Sequence, residues 1–434
     1  MDEVSDDQQP TEPTEPTEQA QPTEPTEPTT TDERHAPRVS RRRMLALAGA
    51  GAVGVAGAGS VGGYAVGRTH ERRVVEAVAA ATRSATPTAP PLFTTLVNQP
   101  GQAVGDIFIT DMGATAATMI ADGAGNSLWS SAGAKSYANM RLQTYQDRPV
   151  ITWWESHSTG LAAYAEGQAV IEDVAHNVVA RVQKHGDVSP DEHEFSITPH
   201  GTAYIVSYVK TRADLRPVEG PEDGLVMNGI FEEVDLATGR VLHHWESLDH
   251  VALTESHAGV PKDPTEPYDY FHINSVAPAP DGNVIISARH TWTVYKVELA
   301  TGTVRWRFGG KRSDFDLPGS ATFAWQHDAQ FEDPHTLRMF DNGSDGEVTV
   351  TDESQVLWFS IDEAGRKARL VRRLVHPAKV SAHAMGNAQR LDNGNLFVGW
   401  GTAQRISEFS DDGTLLFDAT LPDVSYRAFR QVWR

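Results

Sequence analysis

Seventeen histidines keep imidazole chemistry open in this 434-residue chain, and the absence of cysteine removes the thiol. Thiol catalysis, zinc thiolates and disulfides are excluded. Four histidines recur at like places: His193 ahead of Pro199-His200-Gly201, His272 ahead of Asp281-Gly282-Asn283, His327 ahead of Asp333-Pro334-His335, and His383 ahead of Asp392-Asn393-Gly394. In each case a turn and a β-rich run follow. From His272 to Gly302, and from His383 to Gly413, the distance is 30 residues. A neutral imidazole is a nucleophile near neutral pH, can carry a transferable group, and can pass a proton. No His-x-x-x-His pairing occurs among the four, so a metal centre is not indicated, and no cofactor is called for. The plain structural alternative is that each histidine bonds a neighbouring strand.

The elements that must hold these residues are short strands. From about Gly105 the chain alternates β-rich runs, such as Tyr204–Tyr208, Val284–Ser287 and Leu396–Trp400, with Asp-Gly, Asn-Gly and Thr-Gly turns. Val234-Asp-Leu-Ala-Thr-Gly239 repeats as Val297-Glu-Leu-Ala-Thr-Gly302, with degenerate copies ending at Gly365 and Gly413. These glycines are spaced by 63, 63 and 48 residues, which fits four-stranded propeller blades carrying insertions. The fold class is all-β, a six-bladed propeller over 105–434. The first blade covers about 105–146 and is closed by Tyr426 to Trp433, and the second covers about 148–186. Closing a ring with both termini removes exposed edge strands. In such a ring the innermost strands line the axis, so the four histidines converge on one mouth of the channel.

The formal charge of −21 argues against nucleic-acid binding, which needs clustered Lys and Arg. Residues 1–37 are a Thr-Glu-Pro leader that cannot supply a core and reads as disordered. Residues 38–79 carry Ser40-Arg41-Arg42-Arg43 before an apolar Gly/Ala-rich run, Met44 to Val66, which reads as a twin-arginine export signal or a membrane anchor. Cleavage after Ala77-Val78-Ala79 and retention as an anchor both stay open. Residues 80–104 read as a linker. The expected location is extracellular, or anchored on the outer side of the cytoplasmic membrane, with membrane contact only through the apolar segment.

Phe271-His272-Ile273-Asn274-Ser275, Ser287-Ala288-Arg289-His290 and Trp325-Gln326-His327-Asp328 resemble the bacterial arylsulfotransferases. Thr152-Trp153-Trp154-Glu155 and Asp191-Glu192-His193-Glu194-Phe195 resemble an actinobacterial and fungal branch of that family. The resemblance covers about 140–420. It implies a six-bladed propeller and nucleotide-independent transfer of a sulfuryl group from a phenolic sulfate ester to a phenol, through a sulfohistidine. It maps the nucleophile to His327 and further site residues to His272, Asn274, Arg289 and His193. His383 is a candidate substrate-binding residue. No segment matches the separate N-terminal β domain of the well-studied enzymes.

The set is chemically coherent. Sulfuryl transfer resembles phosphoryl transfer, with charge spread over equatorial oxygens, so fixed cationic donors stabilise its transition state. Arg289 offers a planar fork of donors to a sulfonate. His272, His193 and Asn274 can donate to the remaining oxygens. Alternation along a strand places His290 opposite Arg289, away from the channel. Asn274 could instead cap a turn, and Arg289 could be a structural ion-pair partner. Trp245 and Trp306 read as blade packing, and His243-His244 as surface. Two other functions stay open: a non-catalytic extracellular propeller that binds a partner or glycan, and a quinoprotein-like dehydrogenase suggested by Thr301-Gly302 followed by Trp306.

Overall fold

The computed structural model of the chain describes residues 90–113, 116–133, 135–157 and 164–433. The leader and the paired-arginine segment, 1–37 and 38–79, lie outside the described residues. Among the described residues no helix is long and apolar enough to cross a membrane.

Six antiparallel sheets form a six-bladed β-propeller. We number the blades I to VI in chain order. The innermost strands are Phe429–Gln431 (I), Tyr137–Tyr145 (II), Phe195–Ile197 (III), Ile273–Pro278 (IV), His327–Asp333 (V) and Asn387–Arg390 (VI). Outermost strands are the solvent-facing ones: Lys367–Val375 of blade V alternates exposed and part-buried residues. The repeated glycines lie in the turns between third and fourth strands. Gly239, Gly302 and Gly413 have φ of 71°, 72° and 90°, a conformation that glycine adopts without a Cβ clash. In the degenerate blade V copy the positive φ falls on Arg366 instead, at 51°.

The ring closes as the sequence suggested. Phe429–Gln431 pairs with Asp106–Phe108, so the last strand is the innermost strand of the first blade. Two boundaries differ. Tyr137–Tyr145 belongs to blade II, so that blade begins earlier than 148 and blade I ends at Ala132. The missed hairpin turns at Gln146-Asp147, whose φ values of 52° and 58° suit a tight turn that carries no glycine signature. Within 80–104, Thr94–Asn98 is a strand and not linker. It pairs with Leu415–Thr420 as a fifth strand of blade VI.

Apolar side chains pack between neighbouring blades. Trp245, Phe271, Tyr295 and Ile286 join blades III and IV. Trp306, Phe308, Phe323 and Phe359 join IV and V. Near the axis the blades are joined by side-chain amides that imitate strand pairing. Gln431 Nε2 donates to the Leu142 carbonyl (2.9 Å) while its Oε1 accepts from the Leu142 N–H (2.7 Å). Gln389 does the same to Arg430 (3.1 and 2.8 Å), and Asn387 to Ala428 (2.9 and 2.9 Å). Each amide satisfies a backbone donor and a backbone acceptor in the gap between blades, fully buried at Asn387 and part-buried at Gln431 and Gln389.

Three inner strands are bulged at their beginnings. Register shifts fall between Ala138 and Arg141, Ile273 and Ser275, and His327 and Gln330. Nearby, Asn139, His272, Trp325, Asp328 and Met385 all take positive φ, between 52° and 65°. Bulges re-aim side chains, and such backbone conformations persist only where the surroundings enforce them.

Candidate active site at the axial mouth

The predicted residues lie at one end of the propeller. His193 and His272 directly precede the inner strands of blades III and IV or their approach, and His327 is the first residue of the inner strand of blade V. Arg289 directly follows the second strand of blade IV, which runs antiparallel to the first and so returns to the same end.

Two of the imidazoles are in contact, and the third shares a tyrosine ring with one of them. His193 and His272 meet edge to face, with ring centroids 4.8 Å apart. His193 and His327 both lie against Tyr426, at 5.4 and 6.4 Å. His193 is buried, and its Nδ1 faces the Asp191 carboxylate. His272 Nδ1 lies 2.6 Å from Asp269 Oδ2, with the Tyr164 hydroxyl 3.1 Å away. His327 is only 2% exposed. Its Nδ1 lies 2.7 Å from Asn342 Oδ1 and 3.0 Å from the Trp325 carbonyl, and its Nε2 accepts the Met385 N–H at 3.2 Å.

Their surroundings separate the three rings electrostatically. Burial, then the Arg289 guanidinium and the His272 ring, hold His327 well below the ordinary imidazole range, so it stays neutral. Burial also dominates at His272 and lowers it to about 3 despite the Asp269 carboxylate. At His193 burial opposes protonation, but the Asp191 charge and hydrogen bond outweigh it and the net shift is upward. Two neutral imidazoles therefore face one that favours its cationic form.

Arg289 differs from expectation in its company. The strand ends at Ala288, so strand alternation no longer applies, and His290 turns back beside Arg289. Arg289 Nη1 lies 2.7 Å from His290 Nε2, and Nη2 donates to the His383 carbonyl at 3.0 Å. Its Nε is buried and makes no protein hydrogen bond. The reading that Arg289 and His290 point apart is thus corrected. Asn274 is fully buried and donates to the Gln326 carbonyl (2.6 Å), which anchors the segment leading into His327. It therefore supports the site from behind, and its nitrogen is committed. His383 contributes its carbonyl to Arg289, while its exposed ring lies against Gly346 on the rim. Three histidine rings converge, and the fourth does not join them by contact.

Asp269, His272 and His290 present ligand atoms within 4.8 Å of one another. Asp269 already accepts from His272, His290 and Tyr164, and a guanidinium lies against His290.

A cavity of about 920 Å³ opens beside the cluster, lined by Tyr164, Tyr208, Asp269 and His290. A second cavity of about 1000 Å³ occupies the opposite end of the inner strands, with Arg141, Gln330, Arg390 and Gln431 on its walls, and holds none of the predicted residues. Between the two ends runs a buried ionic network. Glu194 bonds Arg427 (3.1 and 3.2 Å) and Arg141 (2.7 Å), and Asp328 accepts the Ala388 N–H (3.0 Å). Buried charges of this kind are tolerated only when paired and hydrogen-bonded.

Asp191, Asp269, Asn342, Tyr164, Tyr208 and Tyr426 were not singled out as site residues by sequence, and His290 was placed away from the channel. The two aspartates carry a local signal, since they precede His193 by two residues and His272 by three. The tyrosines come from separate blades and loops and have none.

Fold and site together define a class of six-bladed propeller with imidazoles and a guanidinium gathered at one axial mouth. Residues 141–421 match the sequence model of the arylsulfotransferase (ASST) family, and the chain belongs to that family. It is an arylsulfotransferase-like enzyme acting on small phenolic molecules. No curated protein matches the chain. Among solved structures, a protein of unknown function from Bacteroides caccae is 11% identical over 75% of this chain and 98% of its own, with a TM-score of 0.46. The Kuenenia stuttgartiensis hydrazine synthase is 11% identical over 81% and 95%, with a TM-score of 0.42. Neither likeness informs the chemistry.

Proposed function

We propose that the protein moves a sulfuryl group from a phenolic sulfate ester to a phenol through a covalent sulfohistidine on Nε2 of His327, without a nucleotide. One observation carries this reading. A neutral, buried imidazole at the axial mouth faces a cationic set made of Arg289 and His193, which is what a nucleophile and an oxyanion cradle require.

In the first step Nε2 of His327 leaves its hydrogen bond with the Met385 N–H and donates its lone pair to sulfur, and the sulfur–oxygen bond to the aryl group breaks. The phenolate leaves with the bonding pair and takes a proton from His193. The sulfonate oxygens, held at the Arg289 guanidinium, gain no net charge; neutral His272, its Nδ1–H given to Asp269, has no N–H left for them. In the second step the acceptor phenol returns its proton to His193, its oxygen attacks sulfur, and the sulfur–nitrogen bond breaks to restore neutral His327. The Tyr164 and Tyr208 rings in the adjoining cavity offer faces to the aryl groups. Incubating the purified protein with p-nitrophenyl sulfate and a phenol, with no nucleotide added, tests the reading. Appearance of the acceptor sulfate supports it; tight binding with no turnover would favour a binding module.

For location, the Ser40-Arg41-Arg42-Arg43 motif and the apolar run after it support export by the twin-arginine route.

A further inference from the structure

Three imidazoles meet at the axial mouth, and two of them are backed by aspartate: His193 by Asp191 and His272 by Asp269. The third, His327, is backed by an amide, Asn342. This difference has a chemical purpose.

The orientation of the Asn342 amide is fixed by its other partners. Its Nδ2 donates to the carbonyls of Ala382 (2.9 Å) and Met385 (3.0 Å). A flipped amide would set Oδ1 against those two carbonyl oxygens. The Oδ1 atom is therefore the one facing His327 Nδ1, at 2.7 Å, and the Trp325 carbonyl faces the same nitrogen at 3.0 Å. With two acceptors and no donor opposite it, Nδ1 carries the proton. The other ring nitrogen agrees. The Met385 N–H points at Nε2 from 3.2 Å, and a donor there requires a lone pair on Nε2.

We propose that Asn342 is a positioning residue that locks His327 in the tautomer with the proton on Nδ1 and the lone pair on Nε2. The role rests on His327 being the nucleophile. An imidazole free to choose tautomers would present a proton, not a lone pair, to sulfur for part of the time. Aspartate could not take the place of Asn342 as it backs the other two rings. Its second oxygen would face the Ala382 and Met385 carbonyls, and its charge would favour the imidazolium, which has no lone pair to give. An amide orients the ring and leaves it neutral. The same residue ties the blade V imidazole to the loop entering blade VI, so the nucleophile and the Met385 N–H are set together.

The test is nitrogen-15 NMR of the histidine rings in the unliganded protein, with the His327 signals identified by their loss in His327→Gln. The wild type should show a protonated, pyrrole-type Nδ1 and a pyridine-type Nε2 for His327. The reverse pattern, or an average of the two, overturns the proposal even if no variant of Asn342 folds. In Asn342→Leu the two signals should move towards the average of the tautomers, and the rate of phenol release should fall by about tenfold to a hundredfold, as for other outer-shell partners of functional histidines. An Asn342→Leu protein that keeps both the tautomer and the rate also overturns it. If the wild type has the stated tautomer but never releases phenol, the lock stands and the sulfohistidine reading fails.

Discussion

The rings of His193 and His272 meet edge to face with centroids 4.8 Å apart and planes at 90°, although they come from different blades. Each has an aspartate at its Nδ1, yet the two are driven in opposite directions: His193 upward and His272 down to about 3. Adjacent imidazolium ions repel, so one positive charge on the pair is the stable arrangement, and the opposite directions of the two shifts place it on His193.

That assignment sets a pH dependence. His327 is held below the ordinary imidazole value of about 6.5, so the nucleophile remains neutral as the pH falls through that value. His193 is shifted up, so its proton persists as the pH rises through the same value. Phenol release measured against pH should therefore be flat across ~6.5, with its alkaline fall above and its acid fall below. Asp191→Asn removes the charge that raises His193 and should move the alkaline fall to lower pH. A profile that drops on acidification through the ordinary value contradicts the assignment.

Arg289 should be irreplaceable by lysine. Its fork engages His290 and the His383 carbonyl at once, and a single ammonium cannot reproduce that or the planar approach to a sulfonate. Both Arg289→Lys and Arg289→Ala should lower kcat/KM by about a hundredfold to a thousandfold, the usual loss of one oxyanion donor. Steady-state kinetics with an aryl sulfate, alongside an unchanged circular dichroism spectrum, checks this.

The amide staples should matter for stability and not for chemistry. Gln431→Ala removes both partners of the Leu142 backbone pair. Leaving those two groups unpaired should destabilise the fold by about 1–3 kcal/mol. Denaturant unfolding reads the loss, while the rate per folded molecule should stay near wild type.

Export is expected to depend on the guanidinium pair. Arg41→Lys with Arg42→Lys keeps the charge but should leave the protein in the cytoplasm, as fractionation and immunoblotting would show. Unchanged secretion of the double variant would reveal a different signal.

Much of this was legible in the chain. The Thr-Gly turns at Gly239 and Gly302 marked the blades because a left-handed turn leaves a glycine signature. The Gln146-Asp147 turn left none, and the start of blade II was placed too late. The axial histidines were legible because blades repeat their register, but His383 shows the limit of that logic: its blade repeats the position, and its ring still stays on the exposed rim. His290 was misplaced because strand alternation was carried past Ala288, where the strand ends. Asn342 was invisible because Asp341-Asn342-Gly343 reads as an ordinary turn, and only the three-dimensional meeting with His327 shows what the amide does.

If His327 carries the sulfuryl group, mixing the protein with excess aryl sulfate and no acceptor should release a burst of about one equivalent of phenol. Intact mass followed alongside should show one sulfuryl mass added near neutral pH and lost in acid. Both signals should vanish in His327→Ala. A burst and adduct that persist in His327→Ala would rule out His327 and move the nucleophile to another residue, His272 being the first to examine.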